Sequence, residues 1–376
     1  MVNATRSVGI NGIHAGVLGK TLLVQSRRPL KVLSCAILNG GWTTASFIIN
    51  HQVPKNYSCQ NPERYLRRIV TGKLRLSGSV VGLMTAANVR NFALSRQRSG
   101  QLTVATLVTA GLSFPAAAGD RQSTIRAEGG TINMILLIEG NPTESCMVDV
   151  VKTATEAKTV ALRNLDIRSR FSKEICTGTT TDAIVVASTS RGRPIEYAGT
   201  ATTLGYLVGR AVRIGVEGAI AKEEQITPGR SLLQRLRERG ILLDDMVRTG
   251  IELLIQSSAM SVRKASDLLR AELERALTDT NIQAFVLAAA RLEEDGDRGL
   301  IPSLSPKDFR SDPVTLVADE SIGLAIANYL AGTWGAYNFL RYDRLKPGMM
   351  SRIGPFMDDA VGGLVAGALT KIMARK

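Results

Sequence analysis

Histidine is almost missing from this chain of 376 residues: only His14 and His51 are present. A three-histidine metal centre is therefore impossible, and a charge-relay triad has few candidates. The four cysteines, Cys35, Cys59, Cys146 and Cys176, have no Cys-x-x-Cys spacing. That removes a zinc ribbon and a dense disulfide framework. No signal-peptide pattern opens the chain, because Ile10 to Leu18 is broken by Asn11, Gly12, His14 and Gly16. A reducing cytoplasm is the expectation that follows. Aromatic residues are only 5% of the chain, so a core must be mostly aliphatic, and the hydrophobic content of 44% is ample for one. Internal repeats and low-complexity stretches are absent.

The net charge of +14, carried mostly by arginine, favours anionic partners such as phosphorylated metabolites. The cations are spread out and have no aromatic stacking residues between them, so nucleic acid is not an expected partner.

The length suits two domains. Residues 1–224 read as an α/β domain with a mixed sheet and flanking helices. Thr21 to Val24, Val32 to Leu38 and a rise to Ile48-Ile49-Asn50-His51 are strand-like. Residues 77–87 and 103–111 look like a pair of buried strands, and Gly129-Gly130 opens another over Ile135 to Ile138. Tyr197 to Thr200 reads as a turn, and the rest of residues 197–219 as a helix with a small, apolar face. Lys222 to Gly229 brings charge and then Pro-Gly, the composition of a linker. Residues 229–376 read as all-α, with helices over Ser231–Arg239, Leu242–Ile255, Ser261–Leu277, Ile282–Leu292, Leu316–Leu330 and Phe356–Met373. Gly240 suits a C-cap, and Ser261 and Thr278 suit N-caps. Ser321 to Leu340 is uncharged and long enough to cross a bilayer, but Asn328, Asn338 and its glycines favour a buried helix over a membrane span.

Chemistry first shows in Thr153 to Ser188. A helix carrying Glu156 and Lys158 is followed by the loop Thr177-Gly178-Thr179-Thr180-Thr181-Asp182 and an apolar strand. Such a loop can present hydroxyls and backbone N–H groups to a ligand. Two residues apart on a helix, Glu156 and Lys158 point away from each other. The plainer alternatives are a solvated helix face and an Asp182 that caps a turn. The turn Asn39-Gly40-Gly41 either reverses the chain sharply or lets a ligand approach the backbone. His51 ends an apolar run, where a histidine is more often structural than a base.

These pieces fall in a fixed order. Asn39-Gly40-Gly41, Val81 to Ala87, Thr109-Ala110-Gly111, Gly130-Thr131-Ile132-Asn133, Thr153 to Thr159, Thr177 to Ala183 and Tyr197 to Thr200 follow one another. The series resembles the adenosylcobinamide amidohydrolase family over roughly residues 30–220. The resemblance implies hydrolysis of the amide joining aminopropanol to a corrin ring, with adenosylcobinamide as substrate and no certain cofactor. For that chemistry Glu156 would activate water and Lys158 would polarise the carbonyl. Thr180 and its neighbours would hold the oxyanion, Asp182 would orient a base, and His51 stands in reserve. Asn39, Gly40, Gly41 and Asn133 would contact substrate.

In the second half, two helices open on paired carboxylates, Asp319-Glu320 and Asp358-Asp359, and Arg341, Asp343 and Lys346 lie between them. Hard oxygens with a Lys and an Arg nearby suit Mg²⁺ and a phosphate ester. The alternative is acids favoured by the helix macrodipole. In this reading Asp319, Glu320, Asp358 and Asp359 bind Mg²⁺, Asp343 serves the metal or the attacking water, and Arg341 and Lys346 hold phosphate oxygens.

The stretch from Val317 to Leu369 resembles the phosphatidylglycerophosphatase A-like family, and within it the soluble branch of α-ribazole phosphatases. Arg239-Gly240-Ile241-Leu242-Leu243-Asp244-Asp245 stands where the lipid phosphatases carry a Gly/Thr/Ser-rich motif, which argues against a phospholipid substrate. Together the halves resemble bifunctional cobalamin-biosynthesis proteins acting on adenosylcobinamide and α-ribazole 5'-phosphate. The rivals are a non-catalytic corrinoid-binding protein and an amidohydrolase fused to a lipid-phosphate phosphatase. A homo-oligomer stays open.

Overall fold

The structure, a computed structural model, describes residues 5–121, 130–172, 174–254 and 261–374. Gly129 and Ile255, which the sequence places in a turn and a helix, lie outside them. Two compact units divide the chain, Met1–Gly229 and Arg230–Lys376.

In the first unit the described residues form a nine-stranded sheet. Its strands are β1 (Arg6–Ser7), β2 (Ile13–Leu18), β3 (Thr21–Ser34), β4 (Gly41–Gln52), β5 (Val80–Thr85), β6 (Ala93–Ser99), β7 (Leu102–Ala110), β9 (Ile132–Glu139) and β12 (Ala183–Ser188). The two-residue strands β8 (Pro115–Ala116) and β11 (Gly178–Thr179) pair with each other, as do β10 (Asn141–Pro142) and β13 (Pro194–Ile195). The order β1-β2-β3-β12-β9-β7-β6 continues from the other edge of β3 into β4 and β5. The β4–β5 and β12–β9 pairs are parallel and the rest of the sheet is antiparallel. Helices α1 (Pro62–Arg68), α2 (Glu144–Asn164) and α3 (Thr203–Glu224) cover its outer faces.

Side-chain alternation divides the apolar residues between layers. Leu136 and Val186 face α2 and α3. Their neighbours Ile135, Leu137 and Val185 face the inside of the curl, where they meet Ile48, Val81 and Leu83 from the far end of the sheet.

Two expectations are corrected. Thr21–Val24 and Val32–Ser34 belong to the single strand β3, because both sides of the Ser26–Pro29 stretch stay paired with β4 across a register shift, and residues 35–38 lie beyond its end. Residues 77–87 and 103–111 are not paired with each other. β5 lies beside β4, and β7 lies between β9 and β6. β6 is a polar strand, ALSRQRS, with no apolar run to announce it.

The second unit contains α4 (Leu232–Glu238), α5 (Leu243–Glu252), α6 (Val262–Ala276), α7 (Thr280–Asp297), α8 (Pro306–Arg310), α9 (Ala318–Leu345) and α10 (Pro355–Met373). Ser261 caps α6, but Asp279 rather than Thr278 caps α7. α10 is buried along nearly its whole length. α9 is a hairpin. Ala331 and Gly332 leave helical geometry, with Gly332 at φ +61° and ψ −155°, a conformation open essentially to glycine alone. The second half runs back along the first, so that Phe339 packs on Gly323. The uncharged stretch is therefore not one buried helix: Tyr329, Trp334, Tyr337 and Leu340 are exposed. No helix of the described residues is long and apolar enough to cross a membrane.

The apolar clusters of the two units share no residue. Residues 1–229 and 230–376 expressed apart should each be soluble and unfold cooperatively in a calorimeter. Two insoluble fragments from a soluble whole chain would contradict this division.

Candidate functional site

In the first unit, α2 brings Lys158 and the turn before β12 brings Asp182 to one point. Both are almost buried, with side chains 10% and 14% exposed. Lys158 Nζ lies 2.5 Å from Asp182 Oδ2, which also accepts from Thr179 N–H at 3.1 Å. Asp182 Oδ1 accepts from the Thr179 hydroxyl at 2.5 Å and from Ile132 N–H at 2.9 Å. Every lone pair direction of this carboxylate is used, so it is a fixed orienting group rather than a free base. Removing one partner of such a pair costs about 3–5 kcal/mol. A side chain at Gly178 would collide with both charges.

Glu156 is not brought to this point. It is exposed, on the face of α2 opposite Lys158, as its two-residue offset requires. Thr180 is exposed at the tip of the turn, while the Thr181 hydroxyl donates to Gly130 O at 2.9 Å.

Asn133, read from the sequence as a substrate contact, is buried and engaged in hydrogen bonds across the curl. Its amide donates to Met84 O at 2.7 Å and Asn50 Oδ1 at 3.0 Å, clamping β9 to β4 and β5 across the curl. Asn50 in turn donates to the Thr109 hydroxyl at 2.9 Å. His51, next to Asn50 on β4, turns to the opposite sheet face. Its Nδ1 is 2.7 Å from the Thr21 hydroxyl and its Nε2 is 3.3 Å from the Tyr65 hydroxyl of α1. Burial, with repulsion from Lys73 and Lys20, lowers its pKa and keeps it neutral. Asn39, Gly40 and Gly41 form the exposed turn between β3 and β4, held by Asn39 Nδ2 donating to Val80 O at 2.7 Å.

In the second unit the α9 hairpin and α10 gather the acids. Asp319 and Glu320 open α9, and Asp358 and Asp359 lie in the first turns of α10. Oxygens of Asp319, Glu320 and Asp359 all lie within 4.8 Å of one another. Asp358 is not part of that trio, because its Oδ2 accepts from Lys346 Nζ at 2.7 Å. Lys346 also bonds Asp312 at 2.8 Å and lies 3.7 Å from Asp343. Four buried oxygens, Asp319 Oδ2, Glu320 Oε2, Asp358 Oδ1 and Asp359 Oδ1, have no hydrogen-bond partner. Buried carboxylate oxygens without donors are what a hard divalent cation fits, so this donor set passes the test for Mg²⁺.

The electrostatics agree. Burial raises the Asp319 pKa, and the neighbouring Glu320 carboxyl adds to the shift. Burial and the charges of Asp358 and Asp343 raise that of Asp359. Asp358 is pushed up to about 7 by burial, against the pull of Lys346. Burial alone would lower the Lys346 pKa, but its bonds to Asp312 and Asp358 outweigh this and raise it.

Arg341 is not at the cluster. Its guanidinium donates to Asn338 Oδ1 at 3.0 Å and Leu253 O at 3.3 Å, and Asn338 reaches Thr370 near the far end of α10. Sequence reasoning missed Asp312, which sits in a proline-rich loop, and Glu293. Glu293 looks like a charged end of α7, yet burial pushes it up to about 7.

Residues 8–228 match the family model for adenosylcobinamide amidohydrolase. The chain belongs to this family. Within it, the Asp182–Lys158 turn and the Asn133 clamp are features of the amidohydrolase unit. The second unit matches the phosphatidylglycerophosphatase A model over residues 278–374. The chain is 30% identical over 192 residues to the adenosylcobinamide amidohydrolase of Methanosarcina mazei, covering 49% of this chain and 86% of that one. It is 29% identical over 229 residues to an uncharacterized protein of Methanocaldococcus jannaschii, covering 55% and 88%. A second uncharacterized protein of that organism is 35% identical over 127 residues, covering 33% and 96%.

The raised carboxyl pKa values predict a pH dependence. An acid whose folded pKa lies above its unfolded value stabilises the fold below the unfolded value, and that contribution is lost as pH rises through the folded one. In EDTA, the second unit should therefore melt lower at pH 9 than at pH 5.5, by at least about 4 °C, the shift roughly 1 kcal/mol gives a domain of this size. Trp334 fluorescence in a Trp42→Phe chain isolates this unit. A midpoint that stays level or rises with pH would contradict the burial of these acids.

Proposed function

We propose that this protein is a bifunctional hydrolase. Its first unit hydrolyses the aminopropanol amide of adenosylcobinamide to adenosylcobyric acid, and its second dephosphorylates α-ribazole 5'-phosphate to α-ribazole in the cytoplasm. Family membership over residues 8–228 supports the first activity. The observation that carries the second is the set of buried, partnerless carboxylate oxygens at the meeting of α9 and α10. The choice of α-ribazole phosphate over a lipid phosphate is supported by the Arg239–Asp245 stretch and by the absence of a membrane-spanning helix among the described residues.

In the amidohydrolase unit, Asp182 holds the Thr179 hydroxyl 2.5 Å away with one oxygen and pairs with Lys158 through the other. A hydroxyl beside a fixed carboxylate has the arrangement of an activated nucleophile or a water-orienting group. Exposed Thr180, at the tip of the turn, lies on the solvent side, where a carbonyl oxygen would be held. In the phosphatase unit, Asp319, Glu320 and Asp359 would hold Mg²⁺, with Asp358 beside them. When bound, the ion neutralises phosphate charge and polarises the ester. Lys346, held by Asp358 and Asp312, supplies a fixed cation for phosphate oxygens. Asp343, partly exposed beside it, takes the proton of the attacking water.

Asp182→Asn and Lys158→Met should each lower amide hydrolysis at least about a hundredfold and leave phosphate-ester hydrolysis unchanged. Glu156→Gln should leave both activities near wild type. Corrinoid products separated by chromatography give the readout, and an inactive Glu156→Gln chain would move the acid–base group onto the exposed face of α2.

Asp359→Asn should abolish phosphatase activity with amide hydrolysis intact. The variant should also melt higher in EDTA, because a buried like charge is gone. EDTA should inhibit the phosphatase and Mg²⁺ should restore it. Full turnover of α-ribazole phosphate in EDTA would leave the acids as helix-start decoration, each worth about 0.3–1 kcal/mol of stability.

A further inference from the structure

The start of α10 lacks a cap of its own. Gly354 at the N-cap has no side chain, and Pro355 at the next position has no N–H. Buried N–H groups of a first turn need partners. Here the Phe356 and Met357 N–H groups donate to one oxygen, Glu293 Oε2, at 3.0 and 3.2 Å. Glu293 belongs to α7, more than 60 positions earlier in the chain. Its other oxygen occupies the space where a side chain at residue 354 would stand, 1.5 Å from an ideal Cβ. Glu293 and Gly354 therefore interlock, each requiring the other.

Asp358 and Asp359 follow directly on the two N–H groups that Glu293 holds. Each residue of a helix turns its side chain by about 100° and advances it about 1.5 Å. A small slip of this turn would swing Asp359 away from Asp319 and Glu320, and Asp358 away from Lys346. We propose that Glu293 is a positioning residue for the metal-binding carboxylates, acting through the first turn of α10. The proposal rests on the phosphatase reading of this unit. Glu293 is outside the trio of oxygens that lie within 4.8 Å of one another, and its Oε2 is occupied by backbone donors. Its role requires an acceptor rather than a charge, which separates it from a ligand or a base.

The test compares Glu293→Gln, which keeps an oxygen for both N–H groups, with Glu293→Met, which keeps the shape and loses the acceptor. Mn²⁺ binding to the full chain is measured by calorimetry, alongside the Mg²⁺ concentration giving half-maximal phosphatase activity. Glu293→Met should weaken Mn²⁺ binding roughly 10- to 100-fold, the usual effect of losing a group that orients ligands. It should raise the Mg²⁺ requirement by a similar factor, with KM for the ester at saturating Mg²⁺ little changed. Glu293→Gln should stay within about threefold of wild type, well below that range. Gly354→Ala, which displaces Glu293 without touching its charge, should behave like Glu293→Met. A cooperative melt followed by Trp334 fluorescence in the Trp42→Phe background reports that the second unit of each variant is folded, and a variant with no such melt is replaced by Glu293→Leu.

Wild-type Mn²⁺ affinity in both Glu293→Met and Gly354→Ala would overturn the proposal. So would a Glu293→Gln chain as weak as Glu293→Met, since charge and not the bond to α10 would then matter. A wild-type chain that binds no Mn²⁺ would remove the metal reading and this proposal with it, whereas binding that survives both variants removes the proposal alone.

Discussion

Like charges buried at one point are the constraint that the second unit is built around. Asp319, Asp358 and Asp359 are each 4% exposed or less. Burying an ionised carboxylate costs several kcal/mol even after relaxation. Two helix starts aim their positive ends at the cluster, but each contributes only about 0.3–1 kcal/mol. Lys346 compensates Asp358 and is shared with Asp312. Burial raises the pKa values of Asp319 and Asp359, so either protons or a cation would relieve the cluster. Acids that only decorate a helix start are normally solvated and face no such choice.

The first unit solves its polar burial the other way, by saturation. Asp182 accepts from Lys158, Thr179 and Ile132, and Asn133 spans the curl to Met84 and Asn50. A fully satisfied network rigidifies its surroundings and has nothing left to offer a ligand. What stays exposed is the tip of the turn at Thr180 beside the network and, apart from it, the Asn39–Gly41 turn.

Which parts were legible follows from the range of the signal. Strands β9 and β12 and helices α3 and α10 carry long apolar patterns, and their positions could be read from sequence. The acid pairs were visible because adjacency in sequence survives folding. Their convergence was not, because it depends on the reversal at Ala331-Gly332. That reversal lies inside a run of small apolar residues with no proline or polar cluster to mark it. Arg341 reads as a neighbour of Lys346 in sequence yet faces Leu253 and Asn338. Five positions on a helix differ by more than a turn, which was enough to separate them. Asn133 showed an amide in a motif but not the strand on the far side of the curl that it ties down. Glu293 carried no local signal, since its partners are backbone N–H groups of another helix.

Charge on two scales then bears on what the second unit can bind. The whole chain carries +14, a field that concentrates anions near its surface and weakens over a distance of about 8–10 Å in salt. The cluster itself is the reverse: Asp312, Asp343 and Asp358 surround Lys346, and Asp319, Glu320 and Asp359 gather as a second group of acids that Asp359 joins to Asp358. A phosphate ester drawn in by the long-range field would meet repulsion at the last few ångströms. Protonating the acids would relieve it, but would also remove the anionic oxygens that could hold a metal and take up a proton. A divalent cation relieves the repulsion while keeping the oxygens ionised. The arrangement therefore favours cation and phosphate together over phosphate alone.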